Sequence, residues 1–268
     1  MRKIPKALTI AGSDSGGGAG IQADLKTMTS LGVYGMSAIT SITVQNTVGV
    51  FGVYDLPPQV VYDQIKVVVE DIGVDSAKTG MLSNAGIVEA VAKAVKDFKI
   101  PNLVVDTVMR SKSGDPLLKV ADEQALKEKI IPLAVLITPN IPEAESLIGF
   151  KIKSLEDVEK ACKKLYLDGA NAVLLKGGHG EGDKVIDVFY DGSRFEYLIS
   201  ERINTKNTHG TGCTLSAAIS SYLAKGYSLL DAVKNAKDYV HNAIKHSFDI
   251  GHGHGPLNHM WQFYKDFW

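Results

Sequence analysis

The chain has 268 residues, with 29 Lys and Arg against 30 Asp and Glu. That even balance argues against nucleic acid or an anionic membrane surface as its main partner. At 45% hydrophobic and 22% charged residues it has the make-up of a globular protein that can bury a core without staples. Two cysteines, Cys162 and Cys213, are too few for a disulfide framework and point to a reducing cytosol.

The first six residues, which include Arg2, Lys3 and Lys6, lead straight into a strand pattern, with no apolar stretch of signal-peptide type. No apolar run approaches the length needed to span a bilayer. Ala7-Leu8-Thr9-Ile10-Ala11 reads as a buried strand. A glycine-rich loop follows, Gly12-Ser13-Asp14-Ser15-Gly16-Gly17-Gly18-Ala19-Gly20, and then a helical pattern over 21–31. The loop lacks the Gly-Lys-Ser/Thr ending of a P-loop. It also fails the dinucleotide fingerprint, because Gly16 and Gly18 would require glycine where Ile21 stands. Asp24, near the start of that helix, can point back at a ligand or simply favour the helix N-terminus.

Strands are predicted over 37–47, ending at Gln45-Asn46, and over 50–56, ending before Pro57-Pro58. A helix over 59–71 precedes a strand that ends in Thr79-Gly80-Met81. Asn84 caps a helix running to 98. Leu103-Val104-Val105-Asp106-Thr107 is a strand with an acid at its C-terminal end. The polar, glycine-containing loop 110–116 is a candidate to close over a site, and a helix spans 121–130. Ala134-Val135-Leu136-Ile137-Thr138 runs into Pro139-Asn140-Ile141-Pro142-Glu143, where Pro142 suits a helix start. Ser154 opens an amphipathic helix over 155–167, with Cys162 on its core side. Ala172-Val173-Leu174-Leu175-Lys176 is a strand followed by Gly177-Gly178-His179-Gly180. Residues 185–199 read as a hairpin on an Asp191-Gly192 turn.

Next comes Asn207-Thr208-His209-Gly210-Thr211-Gly212-Cys213, leading into a helix to about 225 and a second helix over 229–246. A helix start leaves N–H groups unpaired and favours negative charge, and glycines admit a ligand close to the backbone. Gly210, Thr211, Gly212 and Cys213 therefore suit a transferring phosphoryl group, with the Cys213 thiolate expected to be favoured by the helix dipole. The late Gly-His-Gly-Pro run, with His252, His254 and His259 close together, reads as a turn; the spacing does not match a helix-borne zinc pair.

Strands alternate with helices throughout, which predicts a mostly parallel sheet covered on both faces, in one domain over 1–268 with no further domain after Trp268. Ligands bind such sheets beyond the strand C-termini. Asp14, Gln45, Asp106, Asn140, Glu143, Lys176 and the loop at 210–213 all fall there, which argues for an enzyme.

These motifs together resemble the ribokinase-like superfamily and, within it, the hydroxymethylpyrimidine/phosphomethylpyrimidine kinases of thiamine biosynthesis. The resemblance rests on residues 11–24, 40–46, Lys78-Thr79-Gly80-Met81, 138–144, 176–179 and 209–213, and covers essentially the whole chain. It implies a single-domain three-layer α/β/α sandwich with a mostly parallel central sheet. It implies an enzyme that uses ATP and Mg2+ to phosphorylate 4-amino-5-hydroxymethyl-2-methylpyrimidine and then its monophosphate, and a homodimer. By the same resemblance Gly12, Asp24, Gln45, Met81 and Val108 match pyrimidine-pocket positions. Asn140 and Glu143 match a magnesium- and phosphate-organising motif, Gly210, Thr211 and Gly212 an anion hole, and Lys176 an ATP-phosphate contact. Sugar kinases of the superfamily carry Asp where this chain has Cys213.

Magnesium needs few carboxylates beside phosphate oxygens and water, so Glu143 with Asn140, joined by Asp106, suffices. An alcohol must lose a proton as it attacks, which makes Cys213 the candidate base for the first transfer; a phosphate monoester needs none. A pyridoxal/pyridoxine kinase is the nearest alternative, and a non-catalytic pyrimidine-sensing domain a more distant one.

Overall fold

The computed structural model describes residues 3–109, 117–118, 120–178 and 182–263. The strands are β1 (Lys6–Asp14), β2 (Tyr34–Gln45), β3 (Val50–Asp55), β4 (Ser76–Thr79), β5 (Leu103–Val105), β6 (Leu136–Ile137), β7 (Val173–Leu175), β8 (Lys184–Tyr190) and β9 (Phe195–Glu201). The helices are α1 (Gly20–Ser30), α2 (Pro58–Asp71), α3 (Ala85–Asp97), α4 (Val120–Ala125), α5 (Ile141–Ile148), α6 (Leu155–Leu167), α7 (Thr211–Ala224) and α8 (Leu229–Lys245). All nine strands form one sheet in the order β3-β2-β1-β4-β5-β6-β7-β8-β9. The run from β2 to β7 is parallel, while β3 at one edge and β8 and β9 at the other are antiparallel.

Both faces of the sheet are buried, which is why its strands read as unbroken apolar runs. On β5, Leu103 and Val105 face one core and Val104 the other; on β7, Val173 and Leu175 oppose Leu174. The larger core is closed by α2, α3, α5 and α6, the other by α7 and α8, giving three layers as the sequence predicts. The chain leaves β1 toward β2 on one side and returns to β4 on the other, so the topological switch point lies between β1 and β4, where a ligand crevice belongs.

Most elements lie within a few residues of their predicted bounds, and the Asn84 side chain accepts the Ile87 N–H as the predicted cap. One helix differs. The predicted 121–130 helix is α4 for a turn and a half, then a π turn over Leu126–Ile130 and a 3-10 turn over Ile131–Leu133. Pro132 removes an N–H from the continuing helix, and the widened turn keeps both Leu126 and Ile130 in the core. The loop 110–116 and His179 lie outside the described residues.

Candidate active site

The chemistry-bearing side chains converge at the C-terminal ends of the parallel strands, around two adjoining chambers. The larger, of about 670 Å3, is lined by Asp106, Asn140, Glu143, Lys176, Gly210, Thr211 and Gly212. Its lining also includes apolar Val185, Leu215, Val240 and Ile244. The smaller is lined by Gly12, Thr43, Gln45, Gly80 and Met81. Cys213, Val108, Ala19 and Leu117 border both chambers, so Cys213 is one of four residues the two share.

The start of α7 is built around Gly210. Its φ is 81°, and a Cβ there would lie 1.9 Å from the Gly18 carbonyl oxygen, so both the left-handed backbone and the contact require glycine. No side chain caps this turn; Gly210, Thr211, Gly212 and Cys213 all line the large chamber, and the Thr211 N–H donates to the Thr208 carbonyl at 3.4 Å. A Cβ on Gly212 would sit 3.3 Å from Lys176 Nζ and 3.4 Å from Asp106 Oδ2, so this glycine keeps open a space edged by an ammonium and a carboxylate.

Lys176 donates to Asp106 Oδ1 at 3.0 Å, and its backbone N–H donates to the Pro139 carbonyl beside Asn140. Burial works against its charge, but Asp106 and Glu143 outweigh it and hold the ammonium above the usual lysine range. Asp106 Oδ2 is buried without a hydrogen-bond partner among the described residues. A buried, unpaired carboxylate oxygen is costly unless something binds it. Among the described residues no three His, Cys, Asp or Glu side chains gather into a metal cage. One orphaned carboxylate oxygen beside the space that Gly212 leaves open fits a magnesium ion held largely by phosphate oxygens and water.

Asn140 and Glu143 line the large chamber while also forming a capping box on α5. Asn140 Oδ1 accepts the Glu143 N–H at 2.9 Å; Glu143 Oε2 accepts the Asn140 N–H at 2.9 Å and the Thr107 hydroxyl at 3.0 Å. The helix-cap role and the position at the site are thus one arrangement. Burial raises the Glu143 pKa, and Asp106 adds to it against Lys176 and these hydrogen bonds.

Two sequence expectations need correction. The helix dipole was to favour a Cys213 thiolate. Instead, burial pushes the thiol up to about 12, with Asp24 and Asp106 adding to it and Lys78 and the Gly20 backbone opposing it. The dipole is outweighed by desolvation and two nearby carboxylates. Asp24, expected to reach a ligand, lines neither chamber. It is fully buried, accepting from Lys78 Nζ at 3.0 Å and the Thr9 hydroxyl at 2.6 Å, and its Oδ1 has no partner among the described residues. The counter-ion, Lys78, sits on β4 and holds the carboxylate in the interior, away from both chambers.

The glycine loop closes on a ligand of its own. Asp14 accepts the N–H groups of Gly16, Gly18 and Ala19 and lies 2.9 Å from His209 Nε2. The loop is thereby tied to the one that precedes α7. Gln45, at the end of β2, has its amide 3.0 Å from Thr43 Oγ1 and 3.5 Å from His209 Nε2.

Lys78 enters the sequence reading only within the motif Lys78-Thr79-Gly80-Met81, with no role of its own, and an Asp187–Lys237 pair at 2.6 Å in the large chamber does not enter it. Each carried a signal: Lys78 sits inside a four-residue buried strand, and Lys237 interrupts the apolar stripe of Val233, Ala236 and Val240 on α8.

With this geometry in view, the chain can be compared with known proteins. Residues 14–258 match the family model described as phosphomethylpyrimidine kinase. The hydroxymethylpyrimidine/phosphomethylpyrimidine kinase of Bacillus subtilis is 49% identical over 258 residues, covering 96% of this chain and 95% of its own. A crystal structure of phosphomethylpyrimidine kinase from Clostridium difficile superposes with a TM-score of 0.80 at 46% identity, over 90% of this chain and 100% of that one. An ADP complex of Bacillus subtilis pyridoxal kinase superposes with a TM-score of 0.90 at 43% identity, over 97% and 99%. The chain, with its ribokinase-like α/β fold, belongs to the phosphomethylpyrimidine kinase family.

Proposed function

We propose that the protein uses ATP to phosphorylate the hydroxymethyl group of 4-amino-5-hydroxymethyl-2-methylpyrimidine, and then phosphorylates the monophosphate to the diphosphate. The observation that carries this reading is the place of Cys213. The residue borders both a small chamber lined by the Gln45 amide and a large one lined by Asp106, Lys176 and Gly212. In that arrangement Gln45 offers donor and acceptor to a ring nitrogen and its amino group, with Gly12, Met81 and Val108 as walls. The first-turn N–H groups at 210–213 and Lys176 neutralise the transferring group. Asp106, with Asn140 and Glu143, would hold Mg2+, which supplies charge neutralisation on the phosphates. Asp24 acts from beneath, through its charge and that of Lys78.

Cys213 can take the alcohol's proton only as thiolate, a form that Lys78 favours and burial opposes. The monophosphate arrives already ionised and needs no such help. The further reading is of a single kinase domain working in the cytosol as a homodimer. Exposed Val44, Phe51, Val53 and Tyr54 on the β2–β3 edge support the dimer.

A coupled ADP-release assay with the pyrimidine, its monophosphate and pyridoxal tests the substrate. Turnover of both pyrimidines well above pyridoxal is expected. The likeness to pyridoxal kinases gives the second reading, and faster turnover of pyridoxal would favour it. No ADP release with any acceptor would overturn both.

A further inference from the structure

The run Gly251-His252-Gly253-His254-Gly255-Pro256 has no part in the reaction as described. His254 of the run and His259 beyond it do not converge: His254 Nδ1 lies 3.1 Å from the Lys206 carbonyl oxygen, and His259 Nε2 lies 3.0 Å from Thr214 Oγ1. The run instead touches both chambers' supports in turn. The His254 N–H donates to the Thr47 carbonyl at 2.9 Å and the Gly253 N–H to Thr47 Oγ1 at 3.3 Å, two residues beyond Gln45. A Cβ on Gly253 would stand 1.9 Å from that carbonyl oxygen, so nothing larger than glycine reaches it. The Gly255 carbonyl accepts the His209 N–H at 3.1 Å, on the loop leading to α7.

His259 completes the path. The Thr214 hydroxyl donates to the Gly210 carbonyl at 2.8 Å, so its one proton is spent and His259 Nε2–H must donate to it. The chain imidazole to hydroxyl to carbonyl ends on the cap residue of α7. The imidazole is buried and its pKa is pushed down to about 4 by burial, with Lys26 adding to it, so it is neutral at physiological pH. Its own carbonyl accepts Tyr239 Oη at 2.5 Å, which fixes this end to α8.

We propose that residues 251–259 form a strap that sets the acceptor chamber against the phosphoryl cradle, with Gly253 positioning the Gln45 end and His259 the Gly210 end. The strap rests on the reading of the two chambers given above. Small displacements of reacting groups cost roughly a hundredfold in rate, so a spacer between the two halves of the reaction matters to catalysis.

The test is steady-state kinetics of the full chain. The acceptor is whichever of the pyrimidine, its monophosphate or pyridoxal the wild type turns over, so a wrong substrate assignment is seen in the wild type alone. Gly253→Ala should raise the acceptor KM roughly tenfold while the ATP KM changes less than about twofold. His259→Phe and Thr214→Val should lower kcat roughly tenfold with the acceptor KM nearly unchanged, and His259→Gln, which keeps an N–H donor, should restore kcat to within about twofold. Should Gly253→Ala not fold, the His259 and Thr214 variants decide. Folded variants with wild-type kcat and KM and only a lower Tm, or His259→Gln no better than His259→Phe, would overturn the proposal.

Discussion

Cys213 shows how two local rules compete. The helix start favours a thiolate and burial among carboxylates disfavours it, and burial wins. The resting group is a thiol, so the fraction able to accept a proton rises about tenfold per pH unit until pH nears the thiol's pKa. For the alcohol, log kcat should therefore climb with pH between 6.5 and 9 with a slope near one, read from initial rates at saturating substrate; for the monophosphate it should stay flat. Asp106 gives a second prediction at this scale. Asp106→Asn keeps the shape but removes the charge from the orphaned oxygen, and should lower kcat by about two orders of magnitude while raising the Mg2+ concentration needed for half-maximal rate. A magnesium titration of initial rates measures both.

At the scale of elements, β1, α1 and β4 are held together beneath the small chamber by the Thr9–Asp24–Lys78 cluster. Removing one partner leaves a fully buried charge. Lys78→Met should cost about 3–5 kcal/mol of stability, and the double change Asp24→Leu with Lys78→Met should recover most of it, as measured by denaturant unfolding. The strap makes a pH prediction of its own. His259 is pushed down to about 4 from 6.5, so the fold binds it neutral. Its contribution is present above pH 6.5 and is lost as pH falls toward 4, by about 3 kcal/mol. Tm of the wild type should fall across that window more steeply than Tm of His259→Gln.

Across the whole molecule, the parallel sheet and its crevice were legible because strands buried on both faces need uninterrupted apolar runs, as at Leu103-Val104-Val105. The ends of those runs located Gln45, Asp106, Asn140, Lys176 and Cys213, all of which border one of the two chambers. What sequence did not reveal were pairings across long separations. Lys78 meets Asp24 from 54 residues away, His209 meets Asp14 from 195 away, and His259 meets Thr214 from 45 away. No period or cap encodes such meetings. Asp24 follows a counter-ion, Lys78, that only the sheet order brings near, and the Cys213 thiol follows burial and two carboxylates, Asp24 and Asp106, that the fold gathers from distant parts of the chain.

The proposed function comes down to one event, transfer of a phosphoryl group near the residues that border both chambers, and it assigns Cys213 as base for the alcohol alone. Steady-state kcat of Cys213→Ala on the pyrimidine and on its monophosphate tests this most directly. The account predicts a loss of about a hundredfold or more on the alcohol and less than about tenfold on the monophosphate. Equal losses on both substrates, or none on either, would contradict it.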